Sequence, residues 1–435
     1  MTVPSTRTTS LSTCVSGLTR RRFLQYSGVA AAGTLAVGCT SPVVGVADVL
    51  AATAAAPRST EDGVLVVVTL YGGNDGLNTV IPAADPVYQK ARRDLAYQPH
   101  EVLDLGEGLG LNPGLAGLKR LWDSKNLAVV RGVGYPTPDH SHFRSMAIWQ
   151  TGSPTTSVPS GWLGRWLDST GSADALQAVS IDPVMPPLMA GAQRSAASFP
   201  PGGLQLPRGA VGTGMAALGN PCAQDSSWQA AAARAISEIE VISDALEPAV
   251  ATARQTDSDP AAESTEQQGA TTGGRGALDV QLGLVAAMIE MGAPTRAYSV
   301  SLGGFDTHSD ERDTQQRLLG ELDGALTAFQ HRMSAHPLGH RVVTMVYSEF
   351  GRRVTANSSE GTDHGTAGPM FVLGDQVLGG FHGDEPSLSA LQQDDLSVTT
   401  DFRDVYGTML QGVLGADPAR TLDGWTGHLD GLLRA

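Results

Sequence analysis

Asp306 and His308 stand one residue apart in the segment Ser301-Leu-Gly-Gly-Phe-Asp-Thr-His308. In extended backbone, side chains two apart point to the same side, so this acid and this imidazole can converge on one object. Asp363 and His364 form a second acid–imidazole pair, and Asp75 and Glu349 follow closely on apolar runs. Carboxylates and imidazoles together are the donor types of zinc, manganese or iron, and a divalent metal, zinc or manganese, is the expected cofactor. A cation held by a set drawn from Asp75, Asp306, His308, Glu349, Asp363 and His364 would lower the pKa of a water or a serine hydroxyl and clamp anionic oxygens of a substrate. Ser141, flanked by His140 and His142, is the candidate nucleophile. His142, Arg144 and Arg352 are the candidates for holding a phosphate or sulfate. Each residue also has a plainer reading. Asp306 can cap the helix that follows, and Ser141 can cap a helix that begins near Phe143. The arginines can be ordinary helix or loop residues, and the acids and histidines can form a hydrogen-bonded loop network without metal.

Such side chains need a frame. Val64-Leu-Val-Val-Val-Thr-Leu-Tyr71 is a continuous β-branched and apolar run, the pattern of a parallel strand buried on both faces. Leu127–Val133 and Arg341–Tyr347 repeat it, Arg296–Ser301 and Ala178–Ile181 are shorter versions, and Met370–Leu373 reads as an edge strand. Helices are expected over 111–124, 143–150, 228–254, 278–291 and 401–413. After Asp306, Leu318, Leu322, Ala325, Leu326, Phe329 and Met333 fall at helical spacing and predict one more. This alternation predicts an α/β fold, a doubly wound and mostly parallel sheet flanked by helices. The polar clusters follow the strand ends, and carboxyl ends of parallel strands share one edge, where ligands bind.

The chain has 435 residues, a formal net charge of −15 and a pI near 5.0, which excludes broad binding to nucleic acid. Residues 1–57 read as an address rather than as fold. Thr19-Arg-Arg-Arg-Phe-Leu-Gln25 fits the twin-arginine pattern, with Arg20 and Arg21 as the pair. A mildly apolar run, Val29–Val46, follows, and Ala54-Ala-Ala56 offers a small-residue cleavage site. The twin-arginine export machinery is therefore an expected partner, with a lipid anchor on Cys39 as the competing reading. Cys14 and Cys39 fall in this leader and leave Cys222 alone, so no disulfide is expected. Residues 58–435 are expected to form one domain, interrupted by a low-complexity segment near 255–277.

Five segments carry a family resemblance: Tyr71-Gly-Gly-Asn-Asp-Gly-Leu-Asn-Thr-Val-Ile-Pro82, Ser141-His-Phe with Trp149-Gln-Thr-Gly152, Gly303-Gly-Phe-Asp-Thr-His308, Ser348-Glu-Phe-Gly-Arg352 and Asp363-His-Gly365. On these the chain resembles the exported proteins of domain-of-unknown-function 1501, a family name that conveys no activity. More distantly the layout is similar to the alkaline phosphatase and sulfatase superfamily. That resemblance implies an alkaline phosphatase-like fold and a metal-dependent hydrolase or transferase acting on phosphate or sulfate esters, small or polymeric. It implies a metal-binding acid at Asp75, a nucleophile at Ser141, metal ligands at Asp306 and His308, and a late histidine ligand at His364. Two departures are visible. The superfamily places three residues between the acid and histidine that here are separated by one, and Glu349-Phe350 stands where it has Asp-His. Together they imply one metal, or an altered pair that uses Glu349. The sulfatase signature, Cys or Ser followed by x-Pro-x-Arg, is absent, which disfavours sulfatase action by that route. The departures also motivate an alternative of another class, a non-catalytic exported binding or assembly protein that keeps the fold.

Overall fold

The computed structural model describes residues 59–171, 175–182, 184–198 and 278–434. The leader over 1–57, Cys39, Cys222, the helix expected at 228–254 and the low-complexity segment near 255–277 lie outside the described residues.

In chain order the strands are β1 (Val64–Leu70), β2 (Val80–Ile81), β3 (Leu103–Gly106), β4 (Leu109–Leu111), β5 (Leu127–Gly134), β6 (Ala178–Ser180), β7 (Ala197–Ser198), β8 (Ala297–Leu302), β9 (Val342–Ser348), β10 (Arg352–Ala356), β11 (Thr362–His364), β12 (Gly368–Leu373), β13 (Gly380–His382) and β14 (Thr400–Asp401). The helices that frame them are α1 (Pro86–Arg92), α2 (Ala116–Asp123), α3 (His142–Thr151), α4 (Trp162–Thr170), α5 (Leu278–Glu290), α6 (Glu311–Ser334) and α7 (Phe402–Gly412).

Nine strands form one mixed sheet in the order β13-β5-β12-β9-β1-β8-β6-β7, with β14 also paired to β5. β1 runs parallel to β8 and β9, β6 to β7 and β8, and β13 and β14 to β5. β12 is antiparallel to both its neighbours, β5 and β9, and is the reversed strand of a mostly parallel sheet. The expected edge strand at 370–373 is therefore internal. Its four residues are all buried, as a strand covered on both faces and hydrogen-bonded on both sides requires.

Alternation along β1 explains the two helical layers. Val64, Val66, Val68 and Leu70 pack on the face covered by α2, α5 and α6, against Leu118, Leu282, Leu318 and Leu322. Leu65 and Val67 point the other way, toward α3, α4 and α7, where Trp149, Trp162 and Tyr406 fill the layer. The apolar stripe predicted for the helix after Asp306 is the buried face of α6. Acidic residues in its first turn and His331 and Arg332 in its last match the helix dipole.

Because β1, β5, β8 and β9 share a direction, the loops that follow them meet at one edge. Their approach is close. A Cβ on Gly72 would stand 2.4 Å from the Asp306 backbone nitrogen, and Gly72 has φ +116°, so only glycine fits there. β10 and β11 fold over this edge as an antiparallel pair in which Arg352 lies opposite His364. The register thus presents one residue from each strand to the turn after β8.

Candidate metal centre

Each functional side chain is delivered by the end of a regular element. Asp306 and His308 follow β8 through Gly304, whose φ of +105° turns the chain, and through the buried Phe305. His142 is the first residue of α3, and His364 is the last of β11. Asp306 does not cap α6. Asp310 occupies that position, without a side-chain bond. Ser141 precedes α3 in the N-cap position and also makes no side-chain cap, while its backbone N–H donates to Asp139.

Three imidazoles meet one carboxylate oxygen. Asp306 Oδ1 lies 3.0 Å from His308 Nε2, 3.2 Å from His364 Nε2 and 3.4 Å from His142 Nε2. The Nε2 atoms of His308 and His364 are 3.0 Å apart. Two nitrogens bound to zinc at a tetrahedral angle stand roughly 3.3 Å apart, so these spacings suit donors around a single small cation. Two of the other ring nitrogens have hydrogen-bond partners of their own. His142 Nδ1 lies 2.8 Å from Glu349 Oε1, and His364 Nδ1 lies 2.7 Å from the His140 carbonyl. With a proton held on Nδ1, it is Nε2 of each of these two rings that can give up its proton and turn a lone pair toward a cation. His142 Nε2 is buried and makes no well-formed hydrogen bond, its nearest neighbour being the Asp306 carboxylate at 3.4 Å, so a cation between them would improve on this contact. His142, Asp306 and His364 form the tightest candidate ligand group among the described residues, with His308 as a fourth donor. The donor set, imidazole nitrogens and a carboxylate oxygen, fits zinc and also manganese.

The electrostatics follow from these contacts. The Asp306 and Glu349 carboxylates push the His142 imidazolium up to about 9. Burial acts to raise the Asp306 carboxyl, but His142, His364 and Arg352 outweigh it and hold the group far below the usual carboxylate range. Burial, with Arg352 nearby, lowers His308. The cluster is open on one side: Asp306 and His308 side chains are 48% and 44% exposed.

The other expected site residues are placed differently. Asp363 stands behind His308, its Oδ1 3.7 Å from Nδ1, and is exposed. Glu349 is buried and faces the far nitrogen of His142, across the ring from the Asp306 cluster. Arg352 is not free to grip a substrate. Its guanidinium donates to the carbonyls of Gly72, Gly73, Phe305 and Thr362 and, at 2.8 Å, to Asp306 Oδ1. Arg144 and Ser141 are exposed beside His142 in the chain. His142, expected to hold substrate, is placed within the candidate ligand group. Phe350 was invisible as a site residue in the sequence. Its buried ring packs against His142 and His364, at centroid distances of 4.9 and 4.7 Å.

Asp75 lies outside the cluster, with both carboxylate oxygens paired to the buried Arg92 of α1. Glu311, also buried, sits 3.7 Å from the same guanidinium and accepts the Thr362 hydroxyl. Two carboxylates and one arginine without solvent favour retention of one proton. Burial and the Asp75 charge push Glu311 up to about 9 from its ordinary 4.5, whereas Arg92 overcomes burial and holds Asp75 low. Folded Glu311 keeps a proton that the unfolded chain has lost, so its contribution to stability falls as pH rises from about 4.5 to about 9. Glu311→Gln is expected to retain the fold and flatten that decline. Urea midpoints measured between about pH 6 and 9.5 check this, and equal slopes for the two proteins would refute it.

No curated protein matches the sequence. Among solved structures, the chain is similar to a protein in the alkaline phosphatase superfamily from Vibrio parahaemolyticus, at 11% identity, with 85% of this chain and 71% of that one covered and a TM-score of 0.36. It is similar to the phosphonate monoester hydrolase of Agrobacterium radiobacter at 10% identity, covering 85% and 78%, with a TM-score of 0.36. It also matches a 2-O GAG sulfatase at 7% identity, covering 74% and 66%, with a TM-score of 0.33. Residues 63–433 match the family described as "Protein of unknown function (DUF1501)", and because that match takes in the whole sheet and the His142, Asp306, His308 and His364 cluster, the chain belongs to this family.

Proposed function

We propose that the protein is an exported, metal-dependent hydrolase of phosphate or related esters. The observation that carries this reading is the convergence of three imidazole Nε2 atoms on one carboxylate oxygen. His142, Asp306, His308 and His364 would hold the cation. When bound, a divalent metal supplies Lewis acidity toward an ester oxygen and eases deprotonation of a nearby hydroxyl or water. The chain's own groups do the rest. Arg352 fixes the Asp306 oxygen while binding carbonyls on three backbone segments, and Phe350 supports two of the rings. Arg144, exposed two residues after His142, is the remaining arginine candidate for a substrate oxyanion. Ser141, exposed one residue before His142, is the candidate nucleophile. The proposed substrate is an ester of a small or a polymeric alcohol, approached from the side on which Asp306 and His308 are exposed.

One observation favours a second reading, a binding or assembly protein that retains a metal. The guanidinium nearest the cluster is wholly engaged by protein acceptors and offers no clamp to an anion. Turnover separates the two. Purified full-length protein supplied with zinc or manganese is expected to hydrolyse an aryl phosphate mono- or diester, and His142→Ala is expected to abolish this. Ser141→Ala tests the hydroxyl separately: loss of turnover with metal retained assigns Ser141 as nucleophile. Stoichiometric metal without turnover of either ester would leave the binding reading standing and remove the hydrolase one.

A further inference from the structure

Resting on the metal reading above, we infer that Glu349 is a positioning residue, one that selects the His142 lone pair for the cation and biases the cluster toward positive charge. The carboxylate is buried at the end of β9, where β1, β9 and α3 meet. Its Oε1 accepts the Gly72 N–H at 2.9 Å and faces His142 Nδ1 at 2.8 Å, while Oε2 lies 2.9 Å from the Ser348 hydroxyl. The Glu349 backbone carbonyl accepts the hydroxyl of Ser145, one turn along α3 from His142, and Ser145 also receives the Tyr135 hydroxyl. One residue therefore fixes both the ring of His142 and the helix turn that carries it. Among the contacts described for the Glu349 carboxylate, none comes from lysine or arginine. A buried carboxylate in this position draws a positive charge to the far side of the imidazole it holds. Glu349 thus acts through His142 and does not touch the cation.

The geometry makes two readouts independent of turnover. Calorimetric titration of full-length, metal-free protein with zinc chloride is expected to give a 10–100-fold weaker Kd for Glu349→Gln at unchanged stoichiometry. Glutamine keeps an oxygen for Nδ1–H and for Gly72 but removes the charge. Glu349→Leu removes both and is expected to bind more weakly still. Unchanged zinc affinity in Glu349→Gln would overturn the inference. Proton NMR of metal-free protein gives the second readout. A downfield, slowly exchanging His142 Nδ1–H is expected in the wild type and in Glu349→Gln, and is lost in Glu349→Leu. Should the wild type bind no zinc, the metal reading falls by itself. The Nδ1–H resonance then decides the positioning role, and its absence from the wild type would refute that role.

Discussion

Replacing Arg352 with methionine is expected to lower stability by about 3–5 kcal/mol and to remove metal binding with it. The side chain is fully buried, yet all of its nitrogens are used. They join the turn after β1 at Gly72 and Gly73, the turn after β8 at Phe305 and Asp306, and β11 at Thr362. Methionine matches the aliphatic stem but leaves four carbonyls to find other donors, where each buried unsatisfied group costs about 1–3 kcal/mol. Partial entry of water keeps the total below the sum. The Asp306 charge also loses its fixed partner and gains freedom to swing into solvent. Arg352→Lys is not expected to rescue, because one ammonium cannot reproduce a planar fork that reaches carbonyls on three segments. Chemical denaturation of wild type, Arg352→Met and Arg352→Lys at neutral pH provides the check. A loss under about 1 kcal/mol in the methionine variant would show that the guanidinium does not hold the loop edge together.

The engagement of Arg352 by backbone carbonyls is not legible in the sequence. An arginine just past a strand end, close to an acid and a histidine, has the composition of an anion clamp. Whether it faces substrate or backbone depends on β10 folding over the edge, a long-range event without a local signature. Glu349 is misleading for a related reason. It follows β9 as Asp306 follows β8, but it faces α3 and reads His142 from behind. Asp75 is diverted by Arg92, which arrives on α1 and occupies both oxygens. What was legible rests on short-range rules. The doubly buried run of β1 announces a central parallel strand, the stripe on α6 announces its buried face, and the period of two between Asp306 and His308 announces their convergence. The reversed direction of β12 was not legible, because parallel and antiparallel strands buried on both faces carry the same apolar run. Burial patterns report how deeply a residue sits. They do not report which neighbour it meets.

Asp306→Ala is expected to weaken zinc binding on the order of 10²–10³-fold, the largest effect of any single ligand change. Its Oδ1 is the shared point of the cluster, within 3.4 Å of all three Nε2 atoms and 2.8 Å from Arg352. If a four-donor zinc site binds with about 10–16 kcal/mol, one donor accounts for roughly a quarter, which gives this range. Removal also strips the negative charge that offsets Arg352, so a dication would meet an unopposed guanidinium. For that reason Asp306→Ala is expected to be more severe than His308→Ala, which leaves the Asp306–Arg352 contact intact. Asp306→Asn separates geometry from charge. It keeps an oxygen near the three imidazoles, and binding intermediate between wild type and alanine would assign the difference to charge. Metal analysis of each purified, untagged protein, followed by zinc titration, measures the series. Equal metal content in wild type and Asp306→Ala would mean that the three imidazoles do not gather around a cation at this carboxylate, and the hydrolase reading would lose its foundation.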